Sequence, residues 1–414
     1  MNFDRLTLND WQQFSNIEIN FHPRVTILTG ANGCGKTTIL SLLARHQGWQ
    51  NVSLATPKTD RFSNALRYFS LTNFTRKKTE SDRNVGTIRY TNQELANILV
   101  PEVDTAQYQL SISNQQNVSF FFIPSHRQIF SYRRVSEINT ARKERRTAFH
   151  EVESNHIQKY AGYSNEPSSY LMKRTLLGWV INGYGIKNGD KVIMPADPQQ
   201  IINFEGFCQV LRLILPESIG FENIEVRDYE IVFSCNGGED EFLLETASGG
   251  ISALIDIAWQ IFMYDTDAKE PFAVVIDEVE NHLHPSMQRT LLPSLLAAFP
   301  HAKFIVSTHS PLIVTSVEDA YVYALRYNSS NKVDSFLLDF RLEVKNAVDI
   351  LDEVLGVSTT IPAWAVGKLS SILQKHSDKD PTSESLAELR VELTQAGLGN
   401  LLPKAIEAIA EARK

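Results

Sequence analysis

The chain has 414 residues, of which 43% are apolar, and a formal net charge of −8. That length leaves room for one large domain with insertions or for two domains, and the acidic balance excludes a protein coated in positive charge for nucleic acid. Three cysteines, Cys34, Cys208 and Cys235, stand far apart without a CxxC pair, which argues against a zinc site or a disulfide framework and suits a reducing compartment. In chain order, the N-terminus MNFDRLTLND has neither the basic start nor the apolar core of a signal peptide. FDRLTLNDWQQFSNIEINF alternates and reads as two strands joined by a polar turn. RVTILTG reads as a buried strand, rich in β-branched residues and ended by Gly30, with a helix following from about Lys36 to Arg45. From Gln47 to Gln200 the chain turns polar and mixed. Within that stretch Val118 to Pro124 reads as a buried strand, SEINTARKERRTAFHEVESNHIQKY as a charged helix, and SSYLMKRTLLGWVING as an amphipathic helix. No repeat or sustained heptad supports a long coiled-coil arm.

After Ile201 strands and helices alternate. INFEGFCQVLRLILP, SGGISALIDIAWQIFMYD and PSMQRTLLPSLLAAFP read as helices; IEVRDYEIVFSC, EFLLETA, PFAVVIDE and AKFIVSTHS read as strands. Such alternation implies a parallel sheet with helices on its faces. The remainder reads as helices: NAVDILDEVLGV, AWAVGKLSSILQKH, SESLAELRVELTQAGL and NLLPKAIEAIAEARK. No run approaches the roughly 20 apolar residues of a membrane span, so a cytoplasmic protein without membrane contact is expected.

Four motifs carry chemistry. Gly30-Ala31-Asn32-Gly33-Cys34-Gly35-Lys36-Thr37 matches GxxxxGK[ST] between a strand and a helix. Its glycines let successive N–H groups turn toward phosphate oxygens, and the helix start adds partial positive charge. Lys36 is expected on the β- and γ-phosphates, with Thr37 on Mg²⁺. In PFAVVIDEVE an apolar run ends in Asp277-Glu278, the end of a buried parallel strand where ligands bind. Asp277 is expected to hold Mg²⁺ and Glu278 to activate water, against the plainer reading of a solvent-facing turn. His309 follows the strand in IVSTHSP and is expected near the γ-phosphate. Ser248-Gly249-Gly250 opens an apolar helix, a second anion-binding start without a lysine.

The order of these motifs resembles that of ABC-type ATPases. IDEVENHLHPSMQ followed by IVSTHSP is similar to the RecF-, OLD- and SMC-like branch, which includes ATPase subunits of bacterial antiphage systems such as Septu and PARIS. The resemblance covers the first 45 or so residues and roughly Ile201 to Glu343. It implies an α/β fold: a mostly parallel sheet flanked by helices, an antiparallel N-terminal β subdomain, a mainly helical insertion and a helical C-terminal tail. The implied division is an ATPase core of 1–46 and 201–343, an insertion or lid of 47–200, and a tail of 344–414. It further implies ATP and Mg²⁺ as ligands, bound by Gly30, Ala31, Asn32, Gly33, Cys34, Gly35, Lys36, Thr37 and Thr38. Heads of this family pair, so Ser248, Gly249 and Gly250 of one copy would cap nucleotide on the other, in a homodimer or higher homo-oligomer. Glu278 resembles the catalytic glutamate and His309 the switch histidine, while Glu280-Asn281-His282 falls where a loop crosses the dimer interface. The signature reads ASGGI rather than LSGGQ. The Mg²⁺-sensing glutamine is placed at Gln128, with Gln93 a weaker choice, and Trp11 or Phe14 would either stack on the base or belong to the core.

The basic run Arg127, Arg133, Arg134, Arg142, Lys143, Arg145 and Arg146 could grip nucleic acid or an acidic partner, or be a solvated helix face. Arg127, at a strand end, could reach nucleotide or the partner copy. Asp378-Lys379-Asp380 lies in a polar linker without the strand a TOPRIM nuclease needs. The expectation is therefore an ATPase with no nuclease of its own, controlling a separate TOPRIM- or HNH-type nuclease effector in antiphage defence. Alternatives are a RecF-like DNA repair ATPase, a transporter subunit, and a scaffold that binds ATP with little turnover.

Overall fold

The computed structural model describes residues 1–49, 52–59, 66–70, 82–103, 105–127, 130–138, 141–160, 166–266, 270–338, 363–377 and 382–411. The expected helix NAVDILDEVLGV, Gln128 and the Asp378-Lys379-Asp380 triplet lie outside the described residues.

One sheet of eleven strands organises the first unit, residues 1–350. From edge to edge its strands are Ser111–Ser113, Leu95–Val100, Arg83–Tyr90, Phe3–Trp11, Phe14–Asn20, Val333–Leu338, Tyr321–Tyr327, Val25–Gly30, Ala302–Thr308, Phe272–Ile276 and Phe120–Ile123. The last five run parallel to one another. Helices cover a parallel sheet on both faces, so its strands read as unbroken apolar runs: every residue of Val25–Gly30, Phe272–Ile276 and Phe120–Ile123 is buried. On the other side, Arg83–Tyr90, Phe3–Trp11 and Phe14–Asn20 pair antiparallel, the last two with the alternation that first marked them as strands. Register brings the C-terminal ends together: Thr29 lies opposite Thr308, and Ile276 opposite Val306. The phosphate loop, His309 and Asp277 thus leave the sheet side by side.

The stretch 47–200 differs from the expected helical insertion. It contributes four strands to the main sheet, and among the described residues its helices are Arg145–Tyr160 and Ser168–Tyr184. Gly86 explains part of the difference. A Cβ there would sit 2.1 Å from the Thr7 carbonyl, so the strand needs glycine to pair with Phe3–Trp11. The hairpin of Tyr321–Tyr327 and Val333–Leu338, also absent from the sequence reading, joins the two halves of the sheet.

A smaller antiparallel sheet of Phe221–Arg227, Glu230–Cys235 and Asp240–Leu243 leads into the helix Gly249–Tyr264. That helix is buried all round from Ile251 onward, as its mostly apolar sequence requires, and Trp259 packs on Trp179. Cys34, Cys208 and Cys235 are buried free thiols. In the second unit, residues 351–414, helices Ala363–Ser377, Ser383–Gln395 and Leu402–Glu411 share a core of Ala365, Ile372, Leu389, Leu393, Leu398 and Ala405. Thr382 and Ser385 cap the middle helix reciprocally. Among the described residues no helix is long and apolar enough to cross a membrane.

Candidate functional site

The phosphate loop begins where Val25–Gly30 ends. Gly30, Gly33 and Gly35 have φ of 145°, 78° and 96°. A Cβ on Gly30 would meet the Leu325 carbonyl at 2.4 Å, and one on Gly35 would meet the Phe14 ring at 2.4 Å. Glycine is therefore required on both counts, conformation and space. Gly35 stands at the start of helix Lys36–Ala44. The Lys36 ammonium is buried, donates to the carbonyls of Gly30 (3.0 Å) and Ala31 (3.2 Å), and lies 3.4 Å from His309 Nδ1. Burial lowers its pKa, opposed in part by Cys34, Asp277 and Glu280. Burial pushes the Cys34 thiol up, so it is held as a neutral packing group.

Across the loop, Thr37 Oγ1 donates to Asp277 Oδ2 at 2.9 Å. Ser307 joins the two acids: its hydroxyl donates to Asp277 Oδ1 (2.5 Å) and accepts the Glu278 N–H (2.7 Å). Asn281 Nδ2 donates to Glu278 Oε2 at 2.8 Å. The His309 N–H donates to Glu280 Oε1 at 2.5 Å. Burial first, and the Lys36 charge second, lower the His309 pKa, so the imidazole is neutral near pH 7. The convergence of a hydroxyl and a carboxylate suits a hard cation such as Mg²⁺ completed by phosphate oxygens. Among the described residues no group of three His, Cys, Asp or Glu could hold a metal unaided.

Ser248 and Gly249 are exposed at the start of Gly249–Tyr264. Among the described residues no hydrogen bond joins Ser248–Gly250 to residues 30–38. Gly250 instead lies against the loop after the acid pair, where a Cβ would come 3.0 Å from the His282 carbonyl. The structure thus brings Lys36, Thr37, Asp277, Glu278 and His309 together and sets the second helix start apart from them.

Gln93 is a turn residue between Arg83–Tyr90 and Leu95–Val100, on the side where Tyr90 pairs with Phe3. That is the far end of the Phe3–Trp11 strand from Trp11, which lies near Thr37, so Gln93 cannot sense a metal there. Trp11 and Phe14 are both buried in the core, and the Trp11 indole N–H donates to the Tyr108 hydroxyl at 3.0 Å. Sequence reasoning missed Gln13. With Trp11, Gln12, Thr37, Thr38 and Arg45 it lines a cleft of about 590 Å³ beside the loop, where the strand Ser53–Leu54 also contributes. Its place in the turn between the first two strands was the available signal.

Much of the basic run is engaged within the chain. Arg133 lies over Tyr170 and 3.7 Å from Glu166; Arg142 pairs with Asp197; Lys143 pairs with Glu151. Arg145 lies over Phe262 and Arg146 over Tyr264. Arg127 donates to the carbonyls of Glu278 (3.0 Å) and Asn281 (3.1 Å).

A family model described as "AAA domain, putative AbiEii toxin, Type IV TA system" matches residues 196–315, and a second, "AAA domain", matches residues 5–166. The two models fall on different parts of the chain, and both describe an AAA domain. The chain is 28% identical over 198 residues to "Retron Ec83 probable ATPase" of Escherichia coli, covering 42% of this chain and 36% of the relative. It therefore spans about a third of that relative's length. It is 22% identical over 372 residues to "Septu protein PtuA" of Bacillus thuringiensis, covering 84% of this chain and 82% of the relative. Among solved structures, the "SMC head domain from Thermotoga maritima" is similar at 14% identity with a TM-score of 0.42, covering 82% of this chain and 99% of that one.

Proposed function

We propose that the protein binds and hydrolyses ATP in a site completed by a second copy, and that this cycle controls a separate effector in bacterial antiphage defence. The observation that carries the proposal is the linked set Thr37–Asp277–Ser307–Glu278 beside Lys36, with Ser248 and Gly249 exposed elsewhere on the same chain. Main-chain N–H groups of the loop and the Lys36 ammonium hold the β- and γ-phosphates. Thr37 and Asp277 hold Mg²⁺, which when bound neutralises phosphate charge. Glu278 orients the attacking water and takes its proton, with Asn281 fixing the carboxylate. A base so placed contributes about 10²- to 10⁴-fold in rate. Neutral His309 faces Lys36 and is placed to donate toward the γ-phosphate. The exposed N–H groups at Ser248–Gly250 of one copy cap the phosphates on the other, in a homodimer or a larger homo-oligomer of pairs. Likeness to the Septu protein along most of both chains supports the defence context. The partner that fits it is a cytoplasmic nuclease of TOPRIM or HNH type.

The test is ATP turnover and light-scattering mass for the wild type and Glu278→Gln. Turnover should fall by about 10²-fold or more, while ATP-dependent pairing persists. Equal turnover would remove Glu278 as the base. Masses that ignore ATP in both proteins would remove the shared site.

A further inference from the structure

Glu278 is a non-glycine residue at φ 45°, in the left-handed region, and His282 at the end of the same turn stands at φ 69°. Such conformations persist only where the surroundings hold them. Two anchors hold Glu278. Its N–H is fixed by Ser307, and its carbonyl accepts from Arg127 Nη2 at 3.0 Å. The other arm of the same guanidinium donates to the Asn281 carbonyl at 3.1 Å, and Asn281 grips the Glu278 carboxylate. A planar fork holds both carbonyls along fixed directions, with less conformational freedom to lose than an ammonium on a flexible stem.

Asp256 is buried on the helix that Ser248–Gly250 opens. Its Oδ2 accepts from Gln260, while its Oδ1 and the Arg127 Nε are buried without a hydrogen-bond partner. Burial pushes the Asp256 carboxyl up, opposed by His156 and Arg127. Burial also lowers Arg127, opposed first by Asp256 and then by Glu280, Asp277 and Glu278. We infer that Arg127 is the positioning residue for Glu278, and that Asp256 is the counter-charge tying the Gly249–Tyr264 helix to it. The inference rests on Glu278 being the base. It deepens that reading, because the helix meets the base-bearing turn where Gly250 lies against His282, and it also carries Asp256, the leading charge that offsets the burial of Arg127. The helix start that caps the partner's nucleotide then reports its position to the base of its own copy.

The full chain with Mg-ATP tests this through Arg127→Ala, Arg127→Lys and Asp256→Asn. For Arg127→Ala, kcat should fall about tenfold or more with KM within about twofold, because a misplaced base loses rate before binding. Arg127→Lys should recover part of that loss, and Asp256→Asn should lower kcat by less. In a Glu278→Gln background, Arg127→Ala should cost nothing further, since both act on one step. Hydrogen exchange at the Asn281 and Leu283 amides should quicken in Arg127→Ala. Wild-type kcat in Arg127→Ala beside an inactive Glu278→Gln overturns the inference and leaves the base standing. A fully additive loss in the double variant also overturns it. If Glu278→Gln keeps wild-type turnover, the base assignment fails instead, and unchanged amide exchange would still remove the clamp. Should Arg127→Ala not fold, Arg127→Lys and Asp256→Asn carry the same readouts, and unchanged kcat and exchange in both overturn it.

Discussion

Two glycine-rich helix starts, Gly30–Thr38 and Ser248–Gly250, use the same local device and meet opposite surroundings. The first is linked: Lys36 is buried against the loop carbonyls and beside His309, and Thr37, itself exposed, bonds Asp277. The second is exposed at Ser248 and Gly249 and rests on the back of the acid-pair loop through Gly250. Either helix start can bind an anion with its free N–H groups. What separates them is the company each keeps. A start with a lysine, a hydroxyl and two carboxylates at hand can do chemistry, whereas a bare start can only hold an anion.

The contrast breaks first at Lys36. Removing it in Lys36→Ala takes away charge-assisted hydrogen bonds worth about 1.5–3 kcal/mol each, so ATP affinity should drop roughly ten- to hundredfold by titration calorimetry. Unchanged affinity would put the two starts on the same footing. Ser248→Arg sharpens the contrast from the other side. Each copy should still bind ATP on its own loop, while turnover and ATP-dependent pairing fall by about tenfold or more, as for the loss of a group that stabilises the transition state. Loss of nucleotide binding by isolated copies would instead show that Ser248 serves its own loop. The smallest effect concerns pH. The His309 pKa lies below 6.5, lowered by burial and then by Lys36, so the ring stays neutral as pH falls through 6.5 and gains its proton only below it. The pH–rate profile of kcat should show no inflection from His309 at 6.5. An inflection there that vanishes in His309→Gln would contradict the burial argument.

The chemistry of the site was more legible in the sequence than its support. Each motif sits at the end of a strand whose neighbours are also chemically marked, so chain order alone foretold that Lys36, Thr37, Asp277, Glu278 and His309 would meet. The supporting residues carry no such mark. Ser307 reads as one more strand residue, yet it joins Asp277 to Glu278. Arg127 was legible as important but not in its target, which is main chain of the acid loop rather than nucleotide. The strand Arg83–Tyr90 was hidden because Gly86 reads as a breaker, and its reason for being a strand, the Phe3–Trp11 backbone, lies far away in the chain. Gln93 failed for the same cause, since only the hairpin register shows at which end of the sheet it sits.

The pairing of Arg83–Tyr90 onto Phe3–Trp11 bears on any attempt to trim the protein. Cutting out 83–113 as dispensable would strip three strands from the main sheet and uncover one flank of the nine-residue strand Phe3–Trp11, leaving the N–H and C=O groups that face it unsatisfied. The natural border is the three-residue Ser111–Ser113, short and partly polar, a poor template for a neighbouring chain. A minimal catalytic fragment made that way would trade a guarded margin for an adhesive one, and would be lost to aggregation before its nucleotide chemistry could be assayed.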